Sequence, residues 1–215
     1  MDENAPGATG TPDPRASAQE PTPPAHRRRV RHLDARTLRG LAHPLRMALL
    51  GALRRGGPAT ASQLAGKLGE SSGATSYHLR QLAAYGFVED APEQGRGRER
   101  WWRAVDEGTD FGHELMQDTD PQTRGAASVF LHEIANIHSR ELTTWIATRE
   151  DWSEEWARAT DISDFTLRLT PEESRELSER MHALLTEYRP ATTEDTDPAT
   201  DRVRVHLHLF PQRTS

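Results

Sequence analysis

The stretch that decides the fold runs over residues 60–105 and reads TASQLAGKLGESSGATSYHLRQLAAYGFVEDAPEQGRGRERWWRAV. In its first part, apolar residues recur at helical spacing after Thr60, a suitable N-cap. They predict a short helix that ends at Gly69. Ser71 or Ser72 can cap a second helix that reaches Tyr85. Two short helices joined by a tight, glycine-containing turn are typical of the helix-turn-helix, whose second helix enters the major groove of DNA.

The second of these helices has one apolar face and one polar face. At about 100° per residue, Thr75, Leu79 and Leu82 cluster on one side and predict the buried face. The other side is polar and partly aromatic, which suits base contacts, although a surface helix of any protein is also polar outward. The residues that we expect to contact DNA from this helix are Ser72, Gly73, Ser76, Tyr77, Arg80 and Gln81.

A β-hairpin is predicted immediately after the second helix. Phe87 and Val88 begin one strand, residues 94–98 form a glycine-rich turn, and Trp101 and Trp102 lie on the returning strand. Such a hairpin is the wing of a winged helix-turn-helix, and arginines at its tip suit phosphates or a minor groove. The alternative is a solvated loop whose charges protect an edge strand. The arginines concerned are Arg96, Arg98 and Arg100.

Two further helical patterns precede this stretch. Asp34 is a suitable N-cap for a helix that runs through Leu41. Pro44 suits the first turn of a second helix, whose apolar residues reach Leu53 at the spacing of one buried face. With the hairpin included, we expect one DNA-binding domain over residues 31–106.

Four short blocks follow one another in this domain: LAHPLR at 41–46, QLA at 63–65, SYHLRQL at 76–82 and GFV at 86–88. Together they make residues 38–105 resemble the ArsR-type winged helix-turn-helix regulators of bacteria. The resemblance implies a homodimer in which each subunit presents its second helix and wing to half of a near-palindromic operator. It also implies a regulator that usually represses transcription.

The resembling family often senses a metal or a small molecule, and its best-known metal sensors carry cysteines in the third helix. This chain has Gln63 to Leu68 there and no cysteine anywhere, which excludes thiolate ligands. His132 and His138 are six residues apart, about 240° around a helix, so one helix cannot aim both at one ion. For His206 and His208 on one strand face, a solvent-facing stripe is the expected role. We expect no metal and no cofactor; the remaining candidate ligands are Asp110, His113 and Glu133.

The charge is divided unevenly along the chain, whose 215 residues carry a net charge of -6. Residues 27–105 hold 15 basic and 6 acidic side chains, a net charge of +9, and can attract phosphates. Residues 106–215 hold 11 basic and 23 acidic side chains, so this half should face away from DNA.

Several functional classes lack their signals. No apolar run approaches the roughly 20 residues of a membrane span, and no apolar secretory signal opens the chain, so we expect a cytoplasmic protein. The sequence contains no GxxxxGK[ST], GxGxxG, GxSxG or HExxH motif, and we therefore expect no enzyme.

The N-terminal residues 1–30 are rich in proline, alanine and threonine and predict a disordered tail. The tail ends in a cluster of arginines. This cluster is either a basic arm along a DNA groove or backbone, or a solvated charge run. Its members are Arg27, Arg28, Arg29 and Arg31.

The C-terminal half predicts a second structural region. Residues 107–122 are expected to be a linker, and residues 123–160 a long helix followed by a short helix with Trp152 and Trp156 on one face. The long helix suits a dimer contact, and packing within its own subunit is the alternative. Residues 161–215 predict a small α+β domain in an otherwise mainly α chain. Its elements are a strand over 165–169, a helix over 171–188 and a strand over 203–210.

These patterns predict a sequence-specific regulator that binds double-stranded DNA as a homodimer and represses transcription, with room for a small-molecule effector in the acidic half. Two alternatives stay open. A winged helix also serves as a protein-interaction module, and a basic domain can bind DNA without sequence preference as an architectural protein.

Overall fold

The computed structural model describes residues 29–92, 99–188 and 200–213. Within them the chain is mainly α-helical, as predicted. The helices are α1 (Ala35–Leu41), α2 (Pro44–Gly56), α3 (Ala61–Leu68), α4 (Ser72–Ala84), α5 (His113–Gln117), α6 (Pro121–Thr148), α7 (Glu154–Ala159) and α8 (Pro171–Thr186). The strands are β1 (Val30–His32), β2 (Ala59–Thr60), β3 (Val88–Asp90), β4 (Trp101–Ala104) and β5 (Gly108–Asp110), and a 3₁₀ turn covers Arg149–Asp151.

Side-chain caps explain where α1 and α2 begin. The Asp34 carboxylate accepts the Thr37 backbone N–H at 2.7 Å, and the Thr37 hydroxyl accepts the Asp34 N–H at 2.9 Å. For α2, His43 Nδ1 accepts the Leu45 N–H at 3.2 Å, while Pro44 occupies the first turn, where no N–H is needed. Both helices therefore begin where the sequence predicts.

The pair α3 and α4 is bounded in the same way. Thr60 and Gln63 form the predicted capping box, with their reciprocal hydrogen bonds at 2.9 and 3.3 Å. Gly69 ends α3 at a φ of +68°, in the left-handed region that favours glycine. The Ser71 hydroxyl accepts the Ala74 N–H at 3.2 Å, so the first of the two candidate serines is the cap of α4.

Helices α1, α2, α3 and α4 and the hairpin share one apolar core. Leu38, Leu49 and Leu79, from three different helices, have 0% of their surface exposed. Phe87, just before β3, is 1% exposed, and Trp102 on β4 is 3% exposed. Full burial of side chains of this size stabilises a fold by about 1.5–3 kcal/mol each, so this core fixes the position of α4 against its neighbours.

Two small sheets flank the core. One is antiparallel with the order β2-β4-β3, and β3 and β4 are the two strands of the predicted hairpin. The other pairs β1 with β5 in parallel, with Arg31 opposite Thr109. This second sheet corrects the linker predicted over residues 107–122, because these residues supply β5 and α5. Leu115 of α5 is only 3% exposed and belongs to the core.

Helix α6 has 28 residues and two different halves. Its first half packs onto the N-terminal domain, where Ala127 and Phe130 are 5% exposed and the Phe130 ring stacks on Phe111 at 5.2 Å between centroids. Its second half leaves Leu142 and Ile146 exposed. In the part of the chain that the structure describes, no helix combines the length and apolar character of a membrane span.

Beyond α7 the chain departs from the predicted strand-helix-strand domain. Helix α8 forms as predicted, and the Thr170 N–H donates to the Glu173 carboxylate at 2.7 Å in a capping box. The strands predicted over 165–169 and 203–210 are wrong, because neither segment forms a ladder with any described residue. Apart from the half-buried Leu207, their alternating apolar side chains remain exposed, 79% for Phe165. Two strands alone make a marginal sheet, so alternation without further strands does not produce one.

Candidate nucleic-acid interface

Helix α4 has the two faces that the sequence predicts. Thr75, Leu79 and Leu82 are 0% exposed and pack into the core. Apart from the half-buried His78, the opposite side of the helix faces outward, and 52% of Tyr77 is exposed. Of the six predicted contact residues, Ser72, Gly73, Tyr77 and Arg80 are exposed, while Ser76 and Gln81 are half-buried.

A short turn holds α4 against α3. Only residues 69–71 separate the two helices, and the Glu70 N–H donates to the Ala65 carbonyl at 2.9 Å within this turn. Leu64 and Ala65 anchor α3 in the protein interior. The exposed face of α4 is therefore carried on a rigid pair of helices.

A polar cluster of His43, Arg46 and His78, which the sequence analysis did not predict, lies between α2 and α4. The rings of His43 and His78 lie 4.4 Å apart between centroids, and the His78 ring meets the Tyr77 ring edge-on at 5.1 Å. Burial lowers the pKa of the neighbouring Arg46 guanidinium. Arg46 Nε and His78 Nδ1 are buried without a hydrogen-bond partner among the described residues. Helical periodicity could not reveal this cluster, because polar residues in an amphipathic pattern are assigned to the exposed face.

The hairpin places Arg100 at the base of the predicted wing, while Arg96 and Arg98 lie outside the described residues. Arg100 donates from Nη2 to the Asp90 carboxylate at 2.8 Å and from Nε to the same carboxylate. These hydrogen bonds lower the pKa of Asp90 and raise that of Arg100. The guanidinium also lies 4.0 Å from the centroid of the Trp102 ring, so Arg100 is held by the hairpin itself.

A cleft of about 280 Å³ separates α4 from the hairpin. Arg80 lines it from α4 and Arg100 from the hairpin, together with the hydroxyl-bearing Ser62 and Ser76. Guanidinium and hydroxyl groups are the donors that phosphate oxygens accept. Glu99 also lines the cleft, so its charge is mixed. The cleft therefore combines two guanidinium groups and two hydroxyl groups with one carboxylate.

The predicted basic arm is corrected at Arg31. Its Nε donates to the Asp106 carboxylate at 2.6 Å, and its Nη1 donates to the Tyr85 carbonyl at 2.9 Å. The side chain is only 23% exposed and connects the start of the domain to the end of α4. Of the other arm residues, Arg29 is exposed, and residues 27–28 lie outside the described part of the chain.

Within the described residues, no group of three or more histidine, aspartate or glutamate side chains is arranged to hold a metal ion. His132 Nδ1 donates to the Ser128 carbonyl of its own helix at 2.7 Å. His138 instead contacts His208 at 2.8 Å. The two histidines of α6 thus have different partners, as their spacing suggests.

Comparison with protein families matches residues 41–91 to a helix-turn-helix domain. Residues 41–91 are a helix-turn-helix domain. The match runs from the end of α1 through β3, and α3 and α4 are the helix pair that gives the domain its description. The helix-turn-helix predicted from the sequence is therefore confirmed.

Solved structures show only partial likenesses. An ArsR family transcriptional regulator is 23% identical with a TM-score of 0.28, covering 49% of this chain and 98% of that one. A transcriptional regulator from Thermotoga maritima is 12% identical, with a TM-score of 0.27 and coverage of 72% and 85%. ZitR from Lactococcus lactis is 18% identical, with a TM-score of 0.27 and coverage of 70% and 89%. These likenesses are too distant to carry over what those proteins do, and curated proteins give no match.

Proposed function

We propose that the chain is an ArsR-type transcriptional repressor that binds a near-palindromic DNA duplex as a homodimer and has no catalytic activity. One observation carries the proposal. The outward face of α4 exposes Arg80 next to a cleft that Arg100 enters from the hairpin. Helix and hairpin therefore offer a base-reading surface and a phosphate site side by side.

The charge distribution supports the same proposal. Residues 27–105 carry 15 basic and 6 acidic side chains, and the helix-turn-helix domain lies inside this positive segment. A domain that only contacts protein has no need of a positive hairpin tip. Residues 106–215 are acidic, so the DNA is expected on the side of α4 that faces away from them.

Arg80 is the residue assigned to base recognition. A guanidinium in the major groove can donate two hydrogen bonds to one guanine, which is worth about 1–3 kcal/mol of discrimination. Tyr77, Ser76 and Gln81 flank it on the same helix and complete the base-contacting set, while Ser72 and Gly73 bring the helix N-terminus close to the duplex.

The hairpin is assigned to the DNA backbone. Arg96 and Arg98 follow from the sequence pattern, and Arg100 follows from the cleft that it shares with Arg80. Phosphate contacts of this kind fix register and affinity, and they make binding depend steeply on salt.

Helix α6 is assigned to the dimer. Leu131, Leu142 and Ile146 are 41–43% exposed and recur on one face of the helix, with Ala135 and His138 between them. His206 and His208 contact this face only at His138, and the exposed apolar residues on either side of it suit a second copy of the same helix. A mass measurement by sedimentation tests this directly: we expect a dimer, and a monomer for the variant with Leu142→Arg and Ile146→Arg. A wild-type monomer at operator-binding concentrations would contradict the dimer.

Selection of bound duplexes from a genomic library, at about 50 and 200 mM salt, tests the whole proposal. We expect an enriched inverted repeat that persists at the higher salt. Salt-sensitive binding without enrichment would indicate an architectural protein, and no binding would indicate a protein partner. The matched control is Arg124→Ala, which removes an exposed arginine of α6 outside the positive segment and should leave the selected sequences unchanged.

A further inference from the structure

The C-terminal segment, residues 200–213, returns to the body of the protein and lies against the end of α2 and the second half of α6. The Arg202 guanidinium donates to the Arg55 carbonyl of α2 at 2.5 Å. Further along, Arg204 and His206 both reach the carboxylate of Glu141 on α6, at 3.2 and 3.0 Å. The segment therefore bridges the helix-turn-helix domain and α6.

Glu141 is the centre of these contacts. Besides Arg204 and His206, it accepts Arg55 of α2 at 3.4 Å, and only 28% of its side chain is exposed. One carboxylate of α6 thus faces two arginines and an imidazole that come from α2 and from the C-terminal segment. The local balance is positive, and it becomes more so if the histidines gain protons.

Three imidazole rings meet beside this carboxylate. The His138 ring of α6 stacks on the His206 ring with 3.8 Å between centroids and 12° between planes. His138 Nδ1 also lies 2.8 Å from His208 Nε2. A hydrogen bond between two ring nitrogens needs one N–H donor and one bare acceptor, so the two imidazoles cannot both be fully protonated. A second charge on the stacked pair would add repulsion at van der Waals distance.

We propose that these three histidines and Glu141 form a proton-operated latch, which holds the C-terminal segment on α6 at neutral pH and releases it in acid. The proposal goes beyond DNA binding and does not depend on it, because it concerns only how the segment is attached. Its release removes the Arg202 contact to α2 as well, which loosens the connection between the helix-turn-helix domain and α6.

The direction of the response follows from the groups around His138. Burial of the His138 ring is the largest cause of its lowered pKa, and the charges of His206, His208 and Arg204 lower it further. Glu141 raises the pKa but is outweighed, so the pKa of His138 is about 4. A released histidine titrates near 6.5. The docked state therefore binds fewer protons than the released one, and the contribution of His138 to docking is fully present above pH 6.5. It weakens as the pH falls from about 6.5 towards 4, by at most about tenfold per pH unit for one proton.

A single spin label tests the latch in the full chain. Because the protein has no cysteine, Val203→Cys gives one attachment site, and since 68% of Val203 is exposed, the label is restricted only through the backbone of the docked segment. We expect an immobilised nitroxide at pH 8 that becomes mobile between pH 6.5 and 4, while far-UV circular dichroism shows that the helices persist. A nitroxide already mobile at pH 8, or immobile throughout while the helices persist, would overturn the proposal.

Two variants identify the proton site. His138→Phe keeps a ring against His206 but cannot be charged, so the pH-dependent mobilisation should disappear. His132→Phe removes an exposed histidine from the same helix and should leave the transition as it is in the wild type. The wild-type transition persisting in His138→Phe would overturn the assignment.

Nuclear magnetic resonance of the His138 ring gives a second readout. Its titration should coincide with release of the label, below pH 6.5. Titration near 6.5 with the label still immobile would contradict the latch. Loss of the immobilised state on adding EDTA at pH 8 would also overturn it, because the segment would then be held by a metal ion.

Discussion

The rings of His43 and His78 lie 4.4 Å apart between centroids with their planes tilted by 38°. His43 also caps α2 through Nδ1, which accepts the Leu45 N–H and must stay unprotonated to do so. Burial, with the nearby charge of Arg46, lowers the pKa of His43. Burial also lowers the pKa of His78, and the charges of His43 and Arg46 lower it further. The helix-turn-helix domain thus contains two imidazoles whose neutral form is favoured in the folded state.

Acid should therefore destabilise this half. Since the folded state favours neutral His43, its stabilisation is complete above pH 6.5 and is lost as the pH falls below that value. Protonation removes a cap worth about 0.5–2 kcal/mol. His43→Asn retains a capping acceptor that does not titrate, so urea unfolding at pH 7.5 and 5.5 should show a smaller loss for this variant than for wild type. Equal losses would show that the cap does not respond to acid.

Gly40 marks a close approach of α1 to the end of α4. A Cβ at this position would lie 2.3 Å from Cγ of the Tyr85 ring. Gly40→Ala should destabilise the protein by about 1–3 kcal/mol, because the ring must move. Gly66→Ala, on α3 with nothing within 4 Å of the new carbon, should stabilise it by about 0.5–1 kcal/mol. Thermal unfolding of both variants measures the contrast, and a shift in the same direction would contradict it.

Arg31 should act in stability and not in DNA binding. Arg31→Ala removes hydrogen bonds to Asp106 and to the Tyr85 carbonyl, and hydrogen bonds of charged groups are worth about 1.5–3 kcal/mol. We expect that loss in urea unfolding and no change in the salt slope of DNA affinity. Arg29→Ala, at an exposed position nearby, should leave stability unchanged. If Arg31→Ala instead lowered the salt dependence of DNA affinity and left the free energy of unfolding unchanged, Arg31 would belong to the DNA-contacting basic arm.

Arg80 and Arg98 should separate base reading from backbone contact. Arg80→Ala is expected to lower discrimination between operator and altered sites by about 1–3 kcal/mol, more than it lowers affinity for unrelated duplexes. Arg98→Ala is expected to weaken all duplexes alike and to reduce the salt slope by about one unit. Fluorescence anisotropy over a salt series measures both, and equal losses on every duplex for Arg80→Ala would reassign it to the backbone.

Asp90 holds the guanidinium of Arg100 and should restrain its contact with phosphate. Asp90→Asn removes the ion pair and one negative charge beside the cleft, so we expect tighter DNA binding with a steeper salt dependence. Glu89→Gln is the matched control, because it removes the same charge from the preceding residue. The side chain of Glu89 points to the other face of the hairpin and pairs with Arg103. The same gain in both variants would show a general charge effect.

Much of the candidate interface follows from local sequence. The caps at Asp34, Thr60 and Ser71 and the three buried positions of α4 depend on residues within one or two helical turns, so periodicity and capping rules predict them. The side of α4 that carries Tyr77 and Arg80 was predictable for the same reason.

Tertiary structure decided what depends on residues far apart in sequence. Arg31 looks like one of four arginines in an exposed arm until β1 pairs with β5, 78 residues away, and brings Asp106 beside it. The alternation in residues 203–210 predicts a strand, but a strand needs a ladder partner, and this segment meets α6 through its polar side chains instead. His138 and His208 are 70 residues apart and have no common local pattern. The sequence by itself determined the caps and helical faces, because these are local, while the pairing of distant segments was decided only by the packing of the whole chain.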